Sequence, residues 1–114
     1  LRSFALTLKN KIVRSGDLIA RYGGEEFIIM LVDTPLREAE FITNALCEEI
    51  RNTPLQTENS VIRVTASFGV ASLKQSNAQT AEDLIHRADM AMYQSKNTGR
   101  DRVTLWHKIK EQTL

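Results

Sequence analysis

Two adjacent glutamates, Glu25 and Glu26, follow Gly23-Gly24 and precede Phe27, between the apolar runs Leu18 to Tyr22 and Phe27 to Val32. Carboxylates are the side chains that hold hard divalent cations, and a bare glycine turn lets a phosphate chain approach the backbone closely. Adjacent strand residues face opposite sides of a sheet, so only one of the two acids can point squarely at a given site. Alone, such a short motif is more often a pair of solvated turn acids than a metal site. A second candidate group is Lys96 and Arg100. Their i,i+4 spacing aligns them on one helix face if the helical turn persists, and equally suits two cations complementing a helix C-terminus. Arg14-Ser15-Gly16-Asp17 reads alone as a helix end, with the arginine favouring the dipole and Gly16 in the left-handed cap position. His86 and His107 lie far apart without metal-ligand spacing, which points to surface or packing roles.

The elements that must position these residues follow from periodicity. Leu1, Phe4, Ala5, Leu8, Ile12 and Val13 recur at helical spacing, and Ser15-Gly16-Asp17 ends that helix. The runs Leu18 to Tyr22 and Phe27 to Val32 predict a β-hairpin turning on Gly23-Gly24, because two-residue turns need the positive φ that glycine supplies. The second run lacks polar alternation, which predicts a central strand buried on both faces. Thr34 as N-cap and Pro35 at the first helical position start a helix whose buried face is Leu36, Ala39, Ile42, Leu46 and Ile50; Asn52-Thr53-Pro54 stops it. A polar link to Ser60 precedes a long strand, Val61 to Leu73, with a possible bulge at Gly69. Thr80 caps a further helix with the stripe Leu84, Ile85, Ala88, Ala91, Met92 and Ser95; Gly99 ends it, and Arg102 to Trp106 forms a last strand. The order is helix, hairpin, helix, strand, helix, strand: one α/β domain over residues 1–114.

Composition bounds the rest. With 114 residues, 42% apolar and 25% charged, the chain has room and material for one globular core. Its formal net charge of +1 gives no global field for a nucleic acid, and no apolar run approaches a membrane span. The single cysteine, Cys47, cannot form an internal disulfide; it falls on an apolar helical face and favours a reducing, cytoplasmic setting. The chain begins without Met and inside an apolar-periodic segment, as expected of a cut piece of something longer.

Three blocks in order carry a family resemblance. Arg21-Tyr22-Gly23-Gly24-Glu25-Glu26-Phe27 resembles the GGDEF signature, with glutamate for the commoner aspartate. Val64-Thr65-Ala66-Ser67-Phe68-Gly69-Val70-Ala71 resembles a later strand of that family, and Arg87-Ala88-Asp89 through Met92-Tyr93, Lys96 and Gly99-Arg100 resembles its final helix. The resemblance implies a diguanylate cyclase domain on a palm-like α/β (α+β) fold, a central, mainly antiparallel sheet flanked by helices. It implies condensation of two GTP to cyclic di-GMP with Mg²⁺ or Mn²⁺, across a face-to-face homodimer of two GGDEF domains, with no nucleic-acid partner and no membrane contact.

Residue by residue, it makes Glu25 a metal ligand and the candidate base for the ribose 3′-hydroxyl. Glu26 becomes an auxiliary metal or positioning group, Gly23 and Gly24 the backbone against which the nucleotide lies, and Lys96 and Arg100 the cations on the triphosphate tail. Arg14 and Asp17 fit the family's Arg-x-x-Asp inhibitory motif, five residues ahead of Gly23. A guanidinium can bond the guanine O6/N7 edge or a phosphate, and a carboxylate accepts from guanine N1 and N2 protons. Asp89 is expected to be structural, and Asp101, where the family commonly has asparagine, to matter little for catalysis. The family's first strand, with its Asp-x-Asp metal ligand, and its guanine-reading asparagine have no counterpart, so the domain is expected to be N-terminally incomplete and inactive alone, with exposed sheet edges. The rival expectation is an inactive GGDEF module that binds cyclic di-GMP or GTP as a sensor.

Overall fold

The computed structural model describes residues 18–23 and 26–113, with side chains from 26 to 109. The chain clusters into two units, Leu1–Thr34 and Pro35–Leu114. In the first, β1 (Leu18–Gly23) and β2 (Glu26–Met30) form the expected antiparallel hairpin. Its last ladder pair is Gly23 with Glu26, so the two-residue link is residues 24 and 25, one position later than Gly23-Gly24. The register shifts between Arg21 and Gly23, leaving Tyr22 as the extra residue of a bulge. β2 is half-buried rather than enclosed on both faces, and Met30 is 40% exposed. Among the described residues its ladder runs along one edge only, so it lacks the neighbours that bury a central strand. The helix expected over Leu1 to Val13 lies outside the described residues.

The second unit opens with α1 (Leu36–Asn52). Pro35 is its N-cap, not its first helical residue: the Thr34 hydroxyl donates to the Val32 carbonyl at 2.9 Å and does not cap, and Ala39 N–H donates to Pro35 O at 2.9 Å. Ala39, Leu46, Cys47 and Ile50 are its buried residues, as the apolar spacing requires. The link after Pro54 carries a short ladder, β3 (Leu55–Gln56) with β4 (Val61–Ile62), whose turn is closed by Thr57 N–H to Ser60 O at 2.8 Å.

The expected strand Val61 to Leu73 is instead two strands and a helix. β4 ends at Ile62, β5 is Ser67–Val70, and Leu73–Ser76 forms the one-turn helix α2. Ser72 decides the last part, because its hydroxyl accepts from Gln75 N–H at 3.1 Å and so caps a helix where alternation alone predicts strand.

β5 pairs in parallel with β6 (Arg102–Leu105), from Ser67↔Arg102 to Val70↔Leu105, without a shift. Gly69 therefore marks no bulge. It lies under α3 (Ala81–Asn97), where a Cβ would collide with the Ala88 carbonyl and the Met92 amide and sit 2.8 Å from the Ala91 carbonyl carbon. Helix backbone meets strand backbone there, and the helix residues facing the seam are small: Ala91 and Ser95 are both 0% exposed. Ser95 Oγ donates to Phe68 O at 2.7 Å, which leaves Thr104 Oγ1 as the donor in their 2.6 Å hydroxyl contact. One buried hydroxyl thus bonds to both strands of the ladder.

Thr80 caps α3 as expected, accepting from Asp83 N–H at 3.0 Å. The chain ends in α4 (Trp106–Thr113), where a last strand was expected to reach Trp106; the Trp106 ring instead lies under the Arg87 guanidinium at 5.1 Å, joining α4 to α3. The architecture is a mixed helix/strand fold of small ladders flanked by helices; among the described residues two ladders are antiparallel and one is parallel.

Candidate functional site

Four of the eight candidate residues are described. Gly24, Glu25, Arg14 and Asp17 lie outside the described residues. Gly23 and Glu26 face each other at the end of the hairpin ladder, and Glu26 opens β2 half-buried. Lys96 and Arg100 belong to the second unit, at the far end of α3.

That end departs from a continued helix. α3 stops at Asn97, with Thr98 N–H donating to Gln94 O at 3.0 Å and Arg100 N–H to Ser95 O at 2.8 Å, the six-to-one bond that closes a helix C-terminus. Lys96 is half-buried in the last turn, whereas Arg100 is exposed beyond the cap with φ 62°. The helical turn that would align the pair does not persist, so the loop and not the helix face sets where Arg100 points. Gly99 (φ 129°), Arg100 and Asp101 (φ 49°) are three successive positive-φ residues. Only glycine takes that region without strain, and aspartate tolerates it better than arginine.

Asp101 is anchored. Arg51, on the last turn of α1, donates from Nε to Asp101 Oδ1 at 3.0 Å and Oδ2 at 2.9 Å, and the Cys47 thiol lies 3.7 Å from Oδ1. The Arg51 hydrogen bond holds the Asp101 carboxyl below its ordinary value, and burial pushes the Cys47 thiol above its own. Arg102 closes the other side, its Nε donating to Arg100 O at 3.0 Å while its guanidinium fills the space a Cβ on Gly99 would need. Neither Arg51 nor the anchoring role of Asp101 was found by sequence reasoning. Arg51 is fifty positions away with no motif around it, and Asp101 stood out only as a departure from asparagine.

Among the described residues no three Asp, Glu, His or Cys side chains converge on a possible ion. Mg²⁺ needs fewer: one or two carboxylates, with phosphate oxygens and water completing its shell. Glu26, a hard oxygen donor at the end of a ladder whose partner Gly23 brings no side chain, suits that role, with Glu25 next to it in sequence.

The sequence model of the family described as "Diguanylate cyclase, GGDEF domain" matches residues 1–102. The chain belongs to the GGDEF domain family. Among its relatives, Diguanylate cyclase A of Treponema denticola is 39% identical over 92 residues, covering 81% of this chain and 24% of that protein. The response regulator PleD of Caulobacter vibrioides is 39% identical over 105 residues, covering 90% and 23%. The chain thus spans about a quarter of the length of these two GGDEF relatives. The GGDEF domain of DgcB from Caulobacter crescentus, solved with c-di-GMP, superposes at TM-score 0.81 and 26% identity, covering 92% of this chain and 61% of that one. The active GGEEF domain of a diguanylate cyclase from Vibrio cholerae superposes at 0.76 and 26% identity, covering 93% and 65%. The GGDEF fold expected from the three sequence blocks is therefore present, and that relative carries the double-glutamate form of the signature.

Proposed function

We propose that residues 1–114 belong to a GGDEF domain of a diguanylate cyclase, which as a complete domain joins two GTP molecules into cyclic di-GMP. The observation that supports this reading is the hairpin, whose ladder closes on Gly23 and Glu26, two residues of the Gly-Gly-Glu-Glu-Phe signature. Gly23 and Gly24 leave the backbone bare for the nucleotide. Glu25 and Glu26 would hold Mg²⁺ or Mn²⁺, which when bound neutralises the triphosphate and acidifies the attacking hydroxyl. The Glu25 carboxylate accepts the proton of the ribose 3′-hydroxyl as its oxygen bonds to the α-phosphorus of the other GTP, and the bond to the β-phosphate breaks, so that the β- and γ-phosphates bound by Lys96 and Arg100 leave as pyrophosphate. Each domain carries one GTP, so two must meet face to face. Arg14 and Asp17 form a separate site for the product. The setting is cytoplasmic, as the lone reduced Cys47 favours.

The test is conversion of GTP to cyclic di-GMP by the full-length protein with Mg²⁺. Glu25→Gln is expected to lower the rate about 100-fold or more, the range for removing a positioned base. A parent protein that binds GTP but makes no product would overturn the cyclase reading in favour of a nucleotide sensor.

A further inference from the structure

The segment Gly99-Arg100-Asp101 is at once strained, clamped and, at Arg100, exposed. Its backbone is held in the left-handed region at all three positions, two of them not glycine. Such conformations persist only where the surroundings over-determine them, and they collect at ligand-binding turns. The surroundings here do so from both sides: Arg51 of α1 grips both Asp101 oxygens, Arg102 of β6 bonds the Arg100 carbonyl, and the Ser95 carbonyl takes the Arg100 N–H. Every tie reaches the backbone or the neighbour of Arg100, while its own guanidinium stands exposed with no hydrogen bond or ion pair among the described residues. A turn fixed on all sides except for one protruding cation is arranged to present that cation.

We propose that Arg51 and Asp101 are positioning residues for phosphate binding: their ion pair, spanning α1 and the turn before β6, locks the left-handed turn that aims Arg100 at the triphosphate tail. The proposal rests on Arg100 being a phosphate contact and adds what holds it there. It gives Asp101 a task that the expectation of a neutral departure from asparagine did not. The chemistry also makes it separable from simple charge effects. Asp101 is an anion next to a phosphate-binding cation, so by Coulomb's law alone its removal strengthens the binding of GTP. If the carboxylate works by orienting the turn, its removal weakens binding instead, because only the fraction of molecules with Arg100 in place binds at full affinity.

The experiment measures binding of a non-hydrolysable GTP analogue and of GMP, which lacks the tail, to the full-length protein with Mg²⁺. Arg51→Ala and Asp101→Gly, the latter keeping positive φ free of strain, are each expected to weaken the analogue about fivefold and leave GMP unchanged. Asp101→Asn retains a carbonyl oxygen for Arg51 Nε and is expected to recover most of the loss. In an Arg100→Ala background neither substitution has a further effect. An Arg100→Ala protein that binds the analogue as well as the parent defeats the phosphate reading and the proposal with it. If Arg100→Ala weakens the analogue but Asp101→Gly tightens it or leaves it unchanged, the positioning proposal alone is overturned. Equal losses for analogue and GMP mark the pair as merely structural and overturn it too.

Discussion

Asp101 shows how one side chain can be conspicuous in sequence for the wrong reason. It drew notice as a departure from the asparagine usual after Gly-Arg, yet its weight comes from Arg51, whose Nε reaches both carboxylate oxygens. Contacts across fifty residues of sequence leave no local pattern, which is why the pair was invisible to spacing arguments. Its effect on stability carries a definite pH signature. The folded carboxyl is held below its unfolded value of 3.8 by Arg51, so the stabilisation is present above 3.8 and is lost as pH falls through the depressed value. Comparing denaturant unfolding of the parent with Asp101→Asn should give a stability gap that is constant at neutral pH and closes in acid below 3.8. A gap that stays open to the lowest pH would mean the carboxylate's charge is not what stabilises.

At the scale of elements, the two long helices α1 and α3 and the hairpin were legible, while the segment 61–73 and the short helices α2 and α4 were not. The faces of α1 and α3 follow from apolar residues three and four apart, and Leu46, Ile50, Ala91 and Ser95 are buried where the period places them. The segment 61–73 failed because alternation is a weak signal against a serine that can cap a helix, and Ser72 does so. Gly69 was read as a bulge since strand glycines mark either bulges or close approaches, and sequence cannot choose between them. The structure chooses the close approach, and this sets a cost. In Gly69→Ala the added methyl meets backbone atoms of Ala88 and Met92, which cannot swing aside as side chains do. A loss of about 3 kcal/mol is expected, the upper range for overpacking, read as a lowered midpoint in urea with an unchanged slope. A loss below about 0.5 kcal/mol, the size of an inconsequential surface change, would show that the helix can lift at no expense.

For the molecule as a whole, the sequence conveyed the family better than the geometry. Gly23 and Glu26 pair at the hairpin end, one position later than a turn on Gly23-Gly24 predicts, and the helical alignment of Lys96 with Arg100 was an extrapolation that the cap at Thr98 interrupts. The product site is tested at this scale, through the activity of the whole enzyme. Arg14→Ala in the full-length protein should leave initial GTP turnover intact while raising about tenfold the cyclic di-GMP needed to slow it, as expected for loss of a charge-assisted, bidentate contact. Unchanged inhibition by product would remove Arg14 and Asp17 from that role. The bare seam at Gly69 has one more consequence. Where helix and strand touch backbone to backbone, no layer of rotamers is left to rearrange, so α3, β5 and β6 must open together or not at all. Amide protons of Phe68 to Leu105 in this ladder should then exchange with deuterium at one common, slow rate, and the Lys96 end of α3 should inherit that stillness.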